Sequence, residues 1–192
     1  MPAAPRPRRA AALSPARRVL LAAAALVVVL GGGGARSQTA PAPAREGLVV
    51  PPGAAPRYAG QQGRDRDYTE LLATADQTGG SLGMFRQTIA PKSGPPLHRQ
   101  DHEDEFYYVV SGELEFQLGD RRVRAPAQSF VFVPRGVVHT YMNAGAEPGV
   151  LVIGVTPGGF EAMFAERQGV DADTNRTIME RHNMVVVGPP LR

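Results

Sequence analysis

Two short segments carry the residues that could do chemistry. PPLHRQDHEDEFYYVVSG (residues 95–112) and PRGVVHTYMN (residues 134–143) hold His98, Gln100, His102, Glu105 and His139. Side chains two apart in a strand share a face, so His98, Gln100 and His102 point one way if the strand stays regular. Glu105 lies beyond the acidic bend Asp101-His102-Glu103-Asp104 and opens the next strand, while His139, Tyr141 and Asn143 share a face of a later one. Two neutral imidazoles and one carboxylate converging inside a barrel form a set that leaves coordination positions open on an octahedral ion. Such a set suits Fe(II), and Mn, Ni or Zn would also accept its N and O donors.

The elements that must position these residues read as short strands between turns. Candidates are Leu82–Ala90, Phe106–Val110, Leu114–Leu118, Arg121–Ala125, Phe130–Val133, Val137–Asn143 and Gly149–Thr156, broken by Pro91–Pro96, Ser111-Gly112, Gly119-Asp120 and Pro134–Gly136. Close, regular spacing of this kind predicts an all-β sandwich or barrel rather than βαβ units. Helices are expected near the end: Phe160–Arg167, with Phe160, Met163 and Phe164 on one face, and a second capped by Asp171 or Asp173 and running to about His182. Met184–Val187 reads as a last strand or a strap. Phe116, Phe130 and Phe132 are expected in the core, Tyr107 and Tyr141 in the pocket, and Asp101, Glu103 and Asp104 in solvent. His182 is expected to be a surface or capping residue.

Charge is unevenly distributed along the chain. The formal net charge is +3, yet residues 1–37 hold 6 of the 21 cationic residues and no acidic one, so the remaining 15 cations face 18 acidic residues. The only basic cluster downstream, Arg121, Arg122 and Arg124, is short and lacks interleaved aromatics, which excludes a nucleic-acid surface. Five arginines, the apolar run Val19–Leu30, four glycines and Ala35-Arg36-Ser37 follow the order of a secretory signal. That run is shorter than the ~20 apolar residues that span a bilayer comfortably. The expectation is a signal over 1–37 cleaved near Ser37, an Ala/Pro-rich linker over 38–46, and a folded domain over 47–192. The product would be periplasmic or secreted, without stable membrane association. Arg17-Arg18 leaves the twin-arginine route open. The absence of cysteine excludes disulfides, thiolate ligands and a lipoprotein anchor.

The two segments resemble the motifs of the cupin superfamily, in its small single-domain, quercetin-dioxygenase-like type. His98, Glu105 and Gly112 match the first motif, in which Gln100 replaces a histidine; Pro134, Gly136, His139 and Asn143 match the second, in which Gln128 replaces a glycine. The flanks YTELLATADQTGGSLGMF, GGFEAMFAE and VVGPPL are also similar to members of the family. The resemblance implies a jelly-roll (double-stranded β-helix) barrel with short C-terminal helices. It also implies one divalent transition metal held by His98, Glu105 and His139. Gln100 then ligates, or becomes a hydrogen-bond partner of the ligands, or cedes its place to His102 through a bulge. Two function classes follow. One is an oxygenase-like enzyme on a phenolic or other small organic substrate, with Glu105 taking the substrate's proton; the other is a small-ligand-binding module with a lapsed metal site. Exposed jelly-roll edges leave a homodimer open.

Overall fold

The structure, a computed structural model, describes residues 47–60 and 67–192. The expected signal and linker, residues 1–46, lie outside the described residues. Strands β1 (Arg57–Ala59), β2 (Tyr68–Ala73), β3 (Gly83–Ile89), β10 (Gly149–Thr156), β5 (Asp104–Ser111) and β8 (Phe130–Val133) form one sheet in the order β1-β2-β3-β10-β5-β8. A second sheet has the order β11-β4-β9-β6-β7, from β4 (Pro96–Gln100), β6 (Glu113–Leu118), β7 (Arg121–Pro126), β9 (His139–Asn143) and β11 (Met184–Pro190). All pairings are antiparallel. This is a jelly roll.

Alternation explains the core. In β3 every second residue is buried, and Phe85 and Ile89 pack on Leu151 and Ile153 of β10. Rings fill the middle: Tyr107 meets Phe116 at 5.3 Å and Tyr141 at 5.6 Å between centroids, both edge-on. Gly112, at φ 85°, permits the turn from β5 to β6, and a Cβ there would come within 2.9 Å of the Gly149 backbone.

The predicted strands β3, β5–β8 and β10 stand within two residues of their expected ends. Four short elements were not anticipated: β1, β2, helix α1 (Ala75–Thr78) and the opening of β4 at Pro96, where the sheet tolerates proline at a strand's first residue. The expected helix Phe160–Arg167 is a 3-10 turn (Phe160–Ala162) running into one turn of α2 (Met163–Glu166); α3 (Ala172–Arg181) is capped by Asp171, which accepts from Thr174 N at 2.8 Å.

Two burial expectations are corrected. Phe116 is buried, but Phe130 and Phe132 are exposed, because Val131 and Val133 face inward in register with Tyr107 and Glu105. Glu103, expected in solvent, is buried and receives a 3.3 Å hydrogen bond from Asn183 Nδ2. Burial raises its carboxyl pKa.

Candidate metal centre

Three strands converge on one point. β4 supplies His98 and Gln100, β5 supplies Glu105 and Tyr107, and β9 supplies His139 and Tyr141. His98 and His139 are direct cross-strand partners, their ring centroids 4.4 Å apart. The loop before β9 is tied to β4 by Gly136 N donating to Gln100 O at 2.6 Å and to β5 by the Arg135–Asp104 ion pair at 2.9 Å, so backbone and side chain together hold the second motif against the first.

The imidazoles are oriented from behind. His98 Nδ1 lies 2.8 Å from Pro96 O and His139 Nδ1 lies 2.9 Å from Val137 O. A carbonyl can only accept, so each Nδ1 donates a proton backward and each Nε2 is the nitrogen that faces the site, where that of His139 is hydrogen-bonded to Glu105. One ligand atom from each of His98, Glu105 and His139 fits within a group spanning 4.8 Å, and all three residues are buried.

Electrostatics prepare the donors. Burial, then the nearby His139, lower the His98 pKa to about 4, so it is neutral at pH 7. Burial alone would raise the pKa of Glu105, but hydrogen bonds from His139 and Tyr107, with the attraction of the His139 and His98 rings, outweigh it and keep the carboxylate ionised. His139 is shifted upward by Glu105, whose Oε2 lies 2.8 Å from its Nε2, against the opposing effect of burial. Tyr107 OH hydrogen-bonds Glu105 Oε2 and lies 2.9 Å from His139 Nε2. Its pKa is pushed well up by burial and by Glu105, so it remains a donor.

Gln100 is buried and faces the same point. Its Nε2 donates to Glu105 Oε1 at 2.6 Å, while its Oε1 is buried without a hydrogen-bond partner. An orphaned carboxamide oxygen beside a carboxylate and two imidazole nitrogens is a poor arrangement for the protein alone and a good one around a cation. The residues fit a divalent ion: His98, Glu105 and His139 would hold it, with Gln100 Oε1 as a neutral fourth donor.

The remaining candidates divide. Tyr107 and Tyr141 line the cavity beside the site, and Tyr141 OH bonds Gln87 Oε1. His102 lies exposed in the bend and is not brought to the cluster. His182 caps the end of α3 and bonds Glu166 Oε1 at 2.9 Å. Asn143 is buried and bonds Ile89 O, Glu147 O and Gly145 N, which makes it a clamp on the barrel rather than a ligand. Sequence reasoning missed Phe85, Gln87 and Met184, and did not foresee that Phe160 and Phe164 would cover the site. The inward parity of β3 would have marked the first two. The cavity measures about 20 Å³, and a neighbouring one of about 30 Å³ shares Gln87, Pro95 and Tyr141 with it.

Comparison with known proteins agrees with this geometry. The Cupin domain family matches residues 85–155, which contain all three candidate ligands. An uncharacterized protein from Streptomyces coelicolor is 30% identical over 73 residues, covering 38% of this chain and 67% of the relative. Among solved structures, KdgF from Halomonas sp. superposes with a TM-score of 0.52 at 14% identity, covering 61% of this chain and 99% of that one. A predicted oxalate decarboxylase from Thermotoga maritima gives 0.52 at 21% identity, covering 57% and 99%. These structural likenesses show the jelly-roll fold. The chain belongs to the cupin superfamily and carries a small cupin domain. Cupins commonly bind a metal, and the buried His-Glu-His cluster could hold one.

Proposed function

We propose that the chain is an exported, metal-dependent cupin enzyme, an oxygenase-like oxidoreductase acting on a phenolic or other small organic substrate. One observation carries this reading: two imidazoles and an ionised carboxylate are buried together, and His98 and Glu105 of that set line a cavity walled by Phe85, Ile153, Phe160 and Phe164. Aromatic and apolar walls beside the polar groups of Gln87, His98, Glu105, Tyr107 and Tyr141 suit a small aromatic ligand that carries a polar group. A bound Fe, Mn, Ni or Zn ion would supply Lewis acidity and, for the redox-active ions, a path for electrons.

The chain's own residues supply the rest. Glu105, ionised, accepts the substrate's hydroxyl proton at a carboxylate oxygen. Tyr107 keeps its proton and, by donating to Glu105, fixes the direction of that oxygen. Phe160 and Phe164 exclude water. The cavity of about 20 Å³ has room for a water or two, so a substrate enters only if the 3-10 turn, α2 or β11 shifts outward. Oxygen uptake by protein loaded with Fe(II) or Mn(II), measured across a panel of phenols, tests the proposal. Turnover that falls ~100-fold or more in Glu105→Gln is the expected result; no uptake with any phenol contradicts it.

A second reading, a binding module with a lapsed centre, is favoured by the 2.6 Å bond from Gln100 Nε2 to Glu105 Oε1, which occupies one ligand oxygen. Tight phenol binding without oxygen uptake in metal-loaded protein would select it. Export rests on the charge asymmetry and the apolar run of residues 1–37. Intact mass of the protein recovered outside the cytoplasmic membrane should place its start at or near Gln38. An uncut, membrane-bound product would make Val19–Leu30 an anchor.

A further inference from the structure

Four buried side-chain atoms lack a hydrogen-bond partner among the described residues: Gln100 Oε1, Glu103 Oε2, Arg167 Nη1 and Asn175 Oδ1. The first two belong to the first motif. Arg167 and Asn175 instead line one cavity of about 200 Å³, set between the end of β1, the turn after α2 and the start of α3. It shares no lining residue with the cavity of about 20 Å³ beside Glu105.

Local bonds build its walls. Arg167 closes α2, its backbone N donating to Met163 O at 3.1 Å. Gln168 Oε1 accepts from Ala59 N at 3.1 Å and its Nε2 donates to Phe164 O at 2.9 Å, which stitches the turn to β1. Gly169, at φ 70°, then reverses the chain into α3. Asp171 already caps that helix by accepting from Thr174 N, so what the cavity offers a ligand is side chains.

Those side chains are unequal in charge and complementary in need. Arg86 and Arg99 are also half-buried, but each holds a carboxylate, at 2.7 Å; Arg167 holds none among the described residues. Burial lowers its pKa, yet a guanidinium keeps its proton in a protein and, left without a counter-charge, favours an anion. Asn175 Oδ1 requires the opposite, a donor. We propose that this cavity binds a small carboxylate that carries a hydroxyl or an ammonium on the neighbouring carbon. Its carboxylate meets the Arg167 guanidinium and its donor meets Asn175 Oδ1. The Asp171 carboxylate is the other charge in the walls, so the site as a whole suits a monoanion or a zwitterion and repels a multiply charged ion such as phosphate. Against the ~30 Å³ share of one water, the space holds a molecule of a few heavy atoms.

Ligand-observed NMR titration of the full chain with glycolate, glycine, acetate and inorganic phosphate tests this. Glycolate or glycine should bind at least ~10-fold more tightly than acetate, which lacks the donor, and than phosphate. The better of the two tells whether the donor is a hydroxyl or an ammonium. Arg167→Gln should weaken that binding at least ~10-fold, since a charge-assisted bond is lost. Asn175→Ala should erase the margin over acetate and leave acetate itself unchanged, a selective loss that a merely structural role would not produce. That variant also carries the test if Arg167→Gln folds poorly. His139→Ala, which breaks the metal centre, should bind like the parent. Absence of binding by both glycolate and glycine up to ~10 mM overturns the proposal. So does acetate or phosphate binding as tightly as glycolate and glycine, affinity unchanged in Arg167→Gln, or binding lost in His139→Ala, which would put the carboxylate on the metal.

Discussion

Two buried glutamates show how this protein treats a charge inside its fold. Glu70, on β2, is held by Arg57 at 3.1 Å and Arg86 at 2.7 Å; the protein supplies its counter-charge, and its pKa is lowered because the two guanidiniums outweigh the cost of burial. Glu105, on β5, is equally buried but is met by an imidazole, a phenol and a carboxamide and by no guanidinium. A buried carboxylate without a fixed cation is expensive. The difference marks Glu70 as a finished structural pair; for Glu105 we propose that the missing half is a cation from outside the chain.

The largest effect expected from breaking this contrast is at Glu105. Glu105→Gln should weaken metal binding by more than ~100-fold, beyond what loss of a ligand's hydrogen-bond partner does, whereas Glu70→Gln should leave affinity unchanged; competition titration with a metal indicator measures both. Next comes residue 100. Gln100→His should tighten binding ~10–100-fold if the amide is a weak substitute for imidazole, and an unchanged affinity would mean that the site is built around the amide.

On stability the two glutamates should exchange ranks. Glu70→Gln should cost ~1–2 kcal/mol at pH 7, below the full value of a buried pair because both arginines reach solvent. Glu70 has a folded pKa below its unfolded value, so its contribution is present above the ordinary carboxylate range and is lost as pH falls through the folded pKa. Urea unfolding of the variant and the parent should therefore converge in acid. The smallest effect concerns the other departure from the family motifs. Gln128 adopts φ 71° where the motif has glycine, so Gln128→Gly should raise stability by up to ~1 kcal/mol, read as a rise in melting temperature.

Much of the site was legible because motif spacing and strand parity act locally. Once β5 and β9 were placed, alternation carried Glu105, Tyr107, His139 and Tyr141 inward together, and His98 with Gln100 followed from β4. Parity alone does not say which face of an edge strand is covered, and so Phe130 and Phe132 were misjudged: both faces of β8 are apolar, and only the valine face has a second sheet beneath it. Glu70 and Glu103 were opaque for another reason. Their partners, Arg57, Arg86 and Asn183, stand 13, 16 and 80 residues away in the chain, and nothing local signals the burial they permit. The cover over the site was hidden in the same way, since Phe160, Phe164 and Met184 reach it only through the return of the C-terminal segment.

The central claim, that Glu105 waits for a cation, is most directly tested by elemental analysis of the chain purified without chelators, beside His139→Ala prepared identically. The account predicts close to one divalent transition metal per chain in the parent and little in the variant. A parent that carries no metal, and takes up none when Fe(II), Mn(II) or Ni(II) is added, would contradict it.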